Sequence, residues 1–283
     1  TETERALLES VCAAFHAAGK RVVVVLNIGG VIETASWKEL PDAILVSWQG
    51  GQEAGNATAD VLSGKVSPSG RLPMTFPTDY SDHPSSVNFP LDYRGRRGDW
   101  ADDAPERKVR NLGFTCYEED IWIGYRYFST YAPERVSYPF GYGLSYTDFD
   151  WTEASIGRFG REYVVTLRVT NTGEFAGREV VELYVAAPKG DLVKPIRELR
   201  AFAKSRELRP GESELLTLRF ASDDLASFDE RISAFVVDEG GYMAELGRSA
   251  DDIVVRLPFG ARSSVRKVHD VLKPREFLQT FEY

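Results

Sequence analysis

The sequence has few of the residues that build metal sites and covalent cross-links. It contains only two cysteines, Cys12 and Cys116, and three histidines, His16, His83 and His269, which are far apart in the chain. Two cysteines do not make a disulfide framework, and isolated histidines lack the spacing of a metal site. No phosphate-binding loop or nucleophile elbow occurs either. We therefore predict no metal, no cofactor and no disulfide-stabilised fold.

Positive charge is also in short supply. The 283 residues include 34 lysines and arginines against 43 acids, giving a net charge of −9 and a pI near 5.1. Because nucleic acids and anionic membranes attract basic surfaces, neither is expected as a partner. No apolar run approaches the roughly 18 residues of a membrane-spanning helix. The acidic opening of the chain lacks a signal-peptide profile, which favours a cytoplasmic protein.

Residues 43–62 have the pattern of a strand, a glycine turn and a helix. Residues 44–46 form a short apolar run that is typical of a buried strand. Gly50 and Gly51 allow a sharp turn, and apolar residues then recur at helical spacing towards a C-cap at Gly64. In open α/β sheets, ligands bind at turns that follow the strands. The candidate substrate contacts on this turn are Trp48, Gln52 and Glu53.

The β-branched run at residues 22–26 predicts a second parallel strand, buried on both faces. The turn after it adds Asn27 as a fourth candidate substrate contact. Thr1 and Glu4 have the spacing of a capping box, and residues 71–76 are interpreted as an edge strand containing Pro73. Three strands are fewer than the about five or six of a typical sheet. We therefore expect an incomplete α/β layer, with earlier strands upstream of Thr1.

The candidates have structural alternatives. Glu53 lies in a first helical turn, where an acid complements the helix dipole, and we favour that interpretation over a substrate contact. Trp48 fits a core position as well as a sugar contact. The acidic run at residues 118–120 is interpreted as a solvated loop. Packing against a neighbouring domain and sugar binding remain equal alternatives for an aromatic cluster consisting of Trp122, Tyr125, Tyr127 and Phe128.

From residue 149 onward, apolar and polar residues alternate with period two. Turn signals such as Pro210-Gly211 separate about seven short segments of this kind. That number of strands over roughly a hundred residues is typical of an immunoglobulin-like sandwich.

Several long motifs resemble the C-terminal half of glycoside hydrolase family 3. In the first region they are VVVVLNIGGVIE, SWQGGQEAGNATADVLSGKVSPSGRLPMTFP, YEEDIWIGYRYF and YPFGYGLSYTDF. VTNTGEFAGREVVELYVAAPKG and KPIRELRAFAKSRELRPGES are similar to the family's fibronectin type III-like domain. The predicted fold class is therefore α/β plus all-β, with a partial parallel α/β sandwich layer followed by an immunoglobulin-like (fibronectin type III-like) β-sandwich.

Four segments follow from this resemblance. Residues 1–90 are predicted to be the C-terminal part of the α/β sandwich domain, and residues 91–147 a loop-rich, aromatic-rich connection. Residues 148–260 are predicted to be the fibronectin type III-like domain. Residues 261–283 are interpreted as a tail or linker with helical character after Pro274.

The resemblance implies an exo-acting, retaining β-glycosidase, most often a β-glucosidase. Such an enzyme needs two carboxyl groups about 5–5.5 Å apart. In the family, the nucleophile lies on a (β/α)8 barrel of about 250 residues, which does not fit in this chain beside the sandwich. The acid/base glutamate falls just upstream of Thr1, so we assign no catalytic residue here. The expected partners are a β-glucoside or oligosaccharide and the missing barrel, and the chain alone is expected to be inactive. The alternatives are a non-catalytic carbohydrate-binding or scaffold module and, with less support, a protein-interaction module.

Overall fold

The computed structural model describes residues 1–87, 117–271, 280, 281 and 283. Residues 91–116 of the predicted connection, which include Cys116, therefore lie outside the described residues, as does most of the segment predicted to be helical after Pro274. The first part of the chain contains α1 (Glu2–Ala17), β1 (Val23–Leu26), β2 (Ala43–Val46), α2 (Ala54–Leu62), β3 (Phe76–Pro77), α3 (Tyr125–Tyr131) and β4 (Val136–Tyr138). No helix among the described residues is long and apolar enough to cross a membrane.

Helix α1 begins as its sequence predicts. The side chain of Thr1 accepts a hydrogen bond from the backbone N–H of Glu4, and the Glu4 carboxylate completes the capping box. Gly19 follows the helix with a φ of +67°, and the amide of Lys20 donates to the carbonyl of Phe15 over 2.8 Å. Cys12 is the buried residue of the helix.

Strands β1 and β2 pair in parallel, with Leu26 opposite Val46. The prediction that the 22–26 strand is buried on both faces is wrong, because Val23 and Val25 are 44% and 40% exposed. One face of this small sheet is therefore open to solvent. A β-branched run predicts a strand, but what covers its second face depends on other segments.

The third strand predicted at residues 71–76 is also wrong in length and pairing. Only Phe76–Pro77 is extended into a ladder, and it pairs antiparallel with β4 rather than with the parallel strands. Pro73 and Pro77 cannot donate a backbone hydrogen bond. This segment instead joins the first region to the chain beyond residue 135, where Thr78 donates to the carbonyl of Arg135.

The predicted β-sandwich is present. Its strands are β5 (Phe149–Phe159), β6 (Glu162–Asn171), β7 (Val180–Ala186), β8 (Glu198–Lys204), β9 (Ser213–Ala221), β12 (Gly240–Gly247) and β13 (Ile253–Ala261). One sheet has the order β13-β12-β7-β8 and the other β5-β6-β9. Their inward side chains form one apolar cluster that includes Val165, Leu167, Leu183 and Leu246, all fully buried.

A third, small sheet consists of β10 (Ser227–Asp229), β11 (Ala234–Val237) and β14 (Ser264–Lys267). The order of its strands is β10-β11-β14. The start of the segment interpreted as a tail is therefore a strand, in which Val265 pairs with Val236.

Candidate functional site

The four candidate substrate contacts lie on the two turns that follow the parallel strands. Asn27 comes directly after β1, and Trp48 comes two residues after β2. Gln52 and Glu53 belong to a single 3-10 turn, Gly51–Glu53, that leads into α2. The turns are held together where the strands end, since Ser47 donates to the carbonyl of Leu26 through its backbone N–H over 2.9 Å. The topology thus places all four residues at one sheet edge.

Trp48 adopts a backbone conformation that is unusual for its residue type. Its φ is +51°, in the left-handed region that costs a bulky residue free energy. Its ring meets the buried ring of Phe76 edge to face, with the centroids 6.2 Å apart. The indole is half-buried. One part of it therefore packs against Phe76, and the exposed part remains accessible to a sugar, so both interpretations stay open.

Asn27, Gln52 and Glu53 are exposed. The Glu53 carboxylate accepts a hydrogen bond from Nδ2 of Asn56 over 2.6 Å, and Glu53 is the N-cap residue of α2 without capping it through its side chain. Within the described ranges, this bond with Asn56 is the only one that its carboxylate makes. Glu53 is therefore available as a hydrogen-bond acceptor at the edge.

Sequence reasoning missed a close approach between the two turns. A Cβ atom at Gly29 would lie 3.0 Å from Nε2 of Gln49. The side chain of Gln49 thus crosses to the turn after β1 and needs the absence of a side chain there. The glycine in the sequence Asn27-Ile28-Gly29 was the available signal, but it did not identify Gln49 as its neighbour.

A second ionisable cluster contains two buried glutamates. Glu179 directly precedes β7, and Glu182 lies on β7. Glu179 pairs with Arg71, and the hydroxyl of Tyr184 donates to the carboxylate of Glu182 over 2.6 Å. Burial raises the pKa of Glu182 to about 7, and burial also raises the pKa of Glu179 against the lowering effect of Arg71. The signal in the sequence was the presence of two acids in the apolar segment EVVELYVA.

A carboxyl group with a pKa near neutrality is a candidate general acid, but the position of Glu182 argues for a structural role. Gly141 lies so close that a Cβ atom there would be 2.2 Å from a carboxylate oxygen of Glu182. The carboxyl group is thus covered by backbone and by Tyr184, which leaves no room for a substrate. This cluster belongs to the junction between the first region and the sandwich.

The aromatic cluster at residues 122–128 divides into two groups. Phe128 is buried, and Tyr125 packs against Phe140 and Tyr184 with its hydroxyl accepting from the amide of Leu199 over 2.8 Å. Tyr125 thus joins α3 to the sandwich, as the packing alternative expects, whereas the ring of Phe128 meets that of His83 edge to face. Trp122 and Tyr127 instead contact the ring of Tyr283.

The acidic run at residues 118–120 is not the solvated loop that we predicted. Glu118 and Glu119 are buried, whereas Asp120 is exposed. The carbonyl of Glu118 accepts a hydrogen bond from the amide of Phe281 over 2.8 Å. The end of the described chain therefore covers this turn, a long-range contact that local charge patterning cannot predict.

Comparison with known proteins decides which family this architecture represents. Residues 1–146 match the profile of the glycosyl hydrolase family 3 C-terminal domain, and residues 179–250 match that of a fibronectin type III-like domain. The chain belongs to glycoside hydrolase family 3. Its solved relatives in this family include β-glucosidase 3B from Thermotoga neapolitana in complex with α-D-glucose, which is 42% identical, with a TM-score of 0.82. That comparison covers 94% of the present chain and 34% of the Thermotoga chain.

Curated family 3 relatives agree with this assignment. β-Glucosidase A of Butyrivibrio fibrisolvens is 38% identical over 276 residues, which is 89% of this chain and 30% of the relative. An exo-α-(1→6)-L-arabinopyranosidase of Bifidobacterium longum is also 38% identical, and the alignment covers 88% of this chain and 30% of that enzyme. The present family 3 chain thus spans only about a third of the length of the enzymes that it matches.

Proposed function

We propose that this chain is the C-terminal portion of a retaining exo-β-glycosidase whose substrate is a β-glucoside, and that the chain hydrolyses nothing by itself. The observation that carries the proposal is its length relative to the family: it matches about 30% of β-glucosidase A of Butyrivibrio fibrisolvens. The partners proposed for it are a terminal β-D-glucosyl residue of a glucoside or oligosaccharide and the (β/α)8 barrel of the same enzyme.

The open face of the parallel strands supports the proposal. Val23 and Val25 leave apolar side chains in contact with water, which costs free energy that burial against another layer would recover. Parallel sheets are ordinarily covered on both faces. We propose that the rest of the enzyme covers this face and brings its carboxyl groups to the edge formed by the turns after β1 and β2.

The edge itself is suited to binding rather than to bond cleavage. Retaining hydrolysis needs two carboxyl groups about 5–5.5 Å apart, and Glu53 is the one acid among the four candidates. We propose that Asn27, Gln52 and Glu53 exchange hydrogen bonds with sugar hydroxyls and that the ring of Trp48 contacts the apolar face of a sugar. We propose that the nucleophile and the general acid/base belong to parts of the enzyme outside this chain.

A chimera tests the proposal. The present chain would replace the matched third of Thermotoga neapolitana β-glucosidase 3B, to which it is 42% identical. We expect the isolated chain to leave an aryl β-glucoside intact and the chimera to hydrolyse it. A folded chimera without activity would contradict the proposal and favour a non-catalytic carbohydrate-binding module. So would turnover by the isolated chain that a substitution within it abolishes.

The choice of sugar needs a second substrate in the same assay. One relative at 38% identity is an exo-α-(1→6)-L-arabinopyranosidase, whereas others are β-glucosidases. An aryl α-L-arabinopyranoside should therefore be assayed beside the aryl β-glucoside. Our proposal expects the higher kcat/KM for the glucoside.

A further inference from the structure

A basic cavity lies at one end of the β-sandwich, away from the turns after β1 and β2. It has a volume of about 170 Å³ and is bounded by the hairpin between β5 and β6, the turn after β9 and the turn between β13 and β14. The residues that matter for its chemistry are Arg158, Arg161, Arg262, Ser222, Ser263 and Ser264.

The arginines give this cavity a positive charge in a protein whose net charge is −9. Arg161 is neutralised, since its Nη2 lies 2.8 and 3.0 Å from the two carboxylate oxygens of Asp223. Arg158 packs over the ring of Tyr163 and donates through Nε to the carbonyl of Gly160, so its terminal nitrogens stay unpaired. In the part of the chain that the structure describes, neither Arg158 nor Arg262 has a carboxylate within salt-bridge distance.

The hydroxyl groups divide in the same way into used and unused donors. The hydroxyl of Tyr163 donates to the carbonyl of Gly260 over 2.9 Å, and that of Ser222 donates to the carbonyl of Arg161 over 2.9 Å. Ser263 and Ser264 make no side-chain hydrogen bond within the described ranges. The cavity therefore presents unused donors on two guanidinium groups and two hydroxyls, with Asp223 already paired.

We propose that this cavity binds a tetrahedral oxyanion, such as a phosphate group. Guanidinium groups and hydroxyls are donors that suit phosphate oxygens, and a charge-assisted hydrogen bond is stronger than a neutral one. Arg158 and Arg262 place two guanidinium groups without a carboxylate partner among the described residues on the lining, and an anion would supply the opposite charge. The cavity volume exceeds the roughly 30 Å³ share of a single water several-fold, so an oxyanion fits together with part of the molecule that carries it.

Two sources share this chemistry, namely inorganic phosphate and the phosphate ester of a sugar. Both are titrated into the 283-residue chain, with inorganic phosphate and glucose 6-phosphate as the probes and uncharged glucose as the comparison. Amide chemical shifts are followed by NMR at constant ionic strength, so that salt screening is the same at every point of the titration. Tighter binding of glucose 6-phosphate would assign the ester as the ligand, and equal binding would assign the free anion.

The variant for this test is Arg158→Gln/Arg262→Gln. Its control is Arg168→Gln/Arg209→Gln, which removes the same charge near the opposite end of β6, where Gly211 bonds to Asn171. We expect saturable shifts at Ser263 and Ser264. The cavity variant loses two guanidinium groups and should bind at least about tenfold more weakly, since one lost charge-assisted hydrogen bond alone accounts for about that factor. The control should keep its affinity. Shifts that do not saturate, that spread over basic residues elsewhere, or that glucose reproduces would overturn the proposal.

Discussion

Arg71 and Glu179 form a buried ion pair between the first region of the chain and the sandwich. Nη2 of Arg71 lies 2.7 Å from Oε1 of Glu179, and the two side chains are only 10% and 4% exposed. Among the described residues, the buried Nε of Arg71 has no hydrogen-bond partner, so within that part of the chain the pair is not fully compensated. The net contribution of such a pair to stability is small, because the cost of desolvating both charges offsets their attraction.

Removing one partner of this pair should be costly. Arg71→Met leaves the Glu179 carboxylate buried without its cation, and we expect the free energy of unfolding to fall by about 3–5 kcal/mol. Urea unfolding at neutral pH measures it. The matched control is Lys65→Met, which breaks the exposed Lys65–Asp60 pair and should cost no more than about 1 kcal/mol. Equal losses in the two variants would contradict a special role for the buried pair.

Glu182 should make the stability of the chain depend on pH near neutrality. Because burial raises its pKa from 4.5 to about 7, the folded state holds the proton more tightly than the unfolded state. Its contribution to stability is therefore fully present below about pH 4.5 and is lost as the pH rises through 7. The loss amounts to about 3 kcal/mol, at 1.36 kcal/mol per unit of pKa.

Glu182→Gln tests this dependence, since the amide keeps an oxygen that can accept from Tyr184. We expect the variant to lose less stability than the wild type between pH 5 and 8, as measured by urea unfolding. Burial lowers the pKa of His83, which adds a slope of the opposite sign that both proteins share. The difference between the two curves thus isolates Glu182, and parallel curves would show that Glu182 does not titrate in this range.

Gly141 should not tolerate a side chain. Gly141→Ala places a Cβ atom 2.2 Å from a carboxylate oxygen of Glu182, at a φ of +84°. The control is Gly160→Ala, where φ is +63° but nothing lies within 4 Å of the added carbon. We expect about 1 kcal/mol of destabilisation for Gly160→Ala and several kcal/mol for Gly141→Ala, measured by urea unfolding. Similar losses would mean that backbone strain rather than the clash dominates.

The sequence predicted those elements whose signals are local. The spacing of Thr1 and Glu4 was enough for the first helix cap, and the alternation from residue 149 onward was enough for the sandwich. The candidate edge also followed from local signals, because parallel strands end at the same side of a sheet and each was followed by a turn.

The failures share one physical cause, which is that burial depends on partners distant in sequence. Val25 is exposed because no described segment covers its face of the two-stranded sheet. Glu118 is buried because the end of the described chain packs over it. The burial of Glu182 depends on the backbone at Gly141 and on the hydroxyl of Tyr184, which contact its carboxyl group. None of these contacts leaves a periodic pattern near the residue concerned, so single-sequence reasoning had no means to find them.

Trp48 offers the sharpest test of the candidate edge. In the proposed chimera, Trp48→Ala removes the ring and should lower kcat/KM for an aryl β-glucoside about tenfold, since an aromatic contact contributes about 0.5–1.5 kcal/mol beyond its buried area. Trp48→Phe keeps an aromatic ring against Phe76 and should recover part of that loss. Phe159→Ala, at an exposed position on β5, serves as the control and should leave kcat/KM unchanged. If Trp48→Ala lowers the free energy of unfolding but leaves kcat/KM intact, Trp48 is a packing residue and the sugar contact must be assigned elsewhere on the edge.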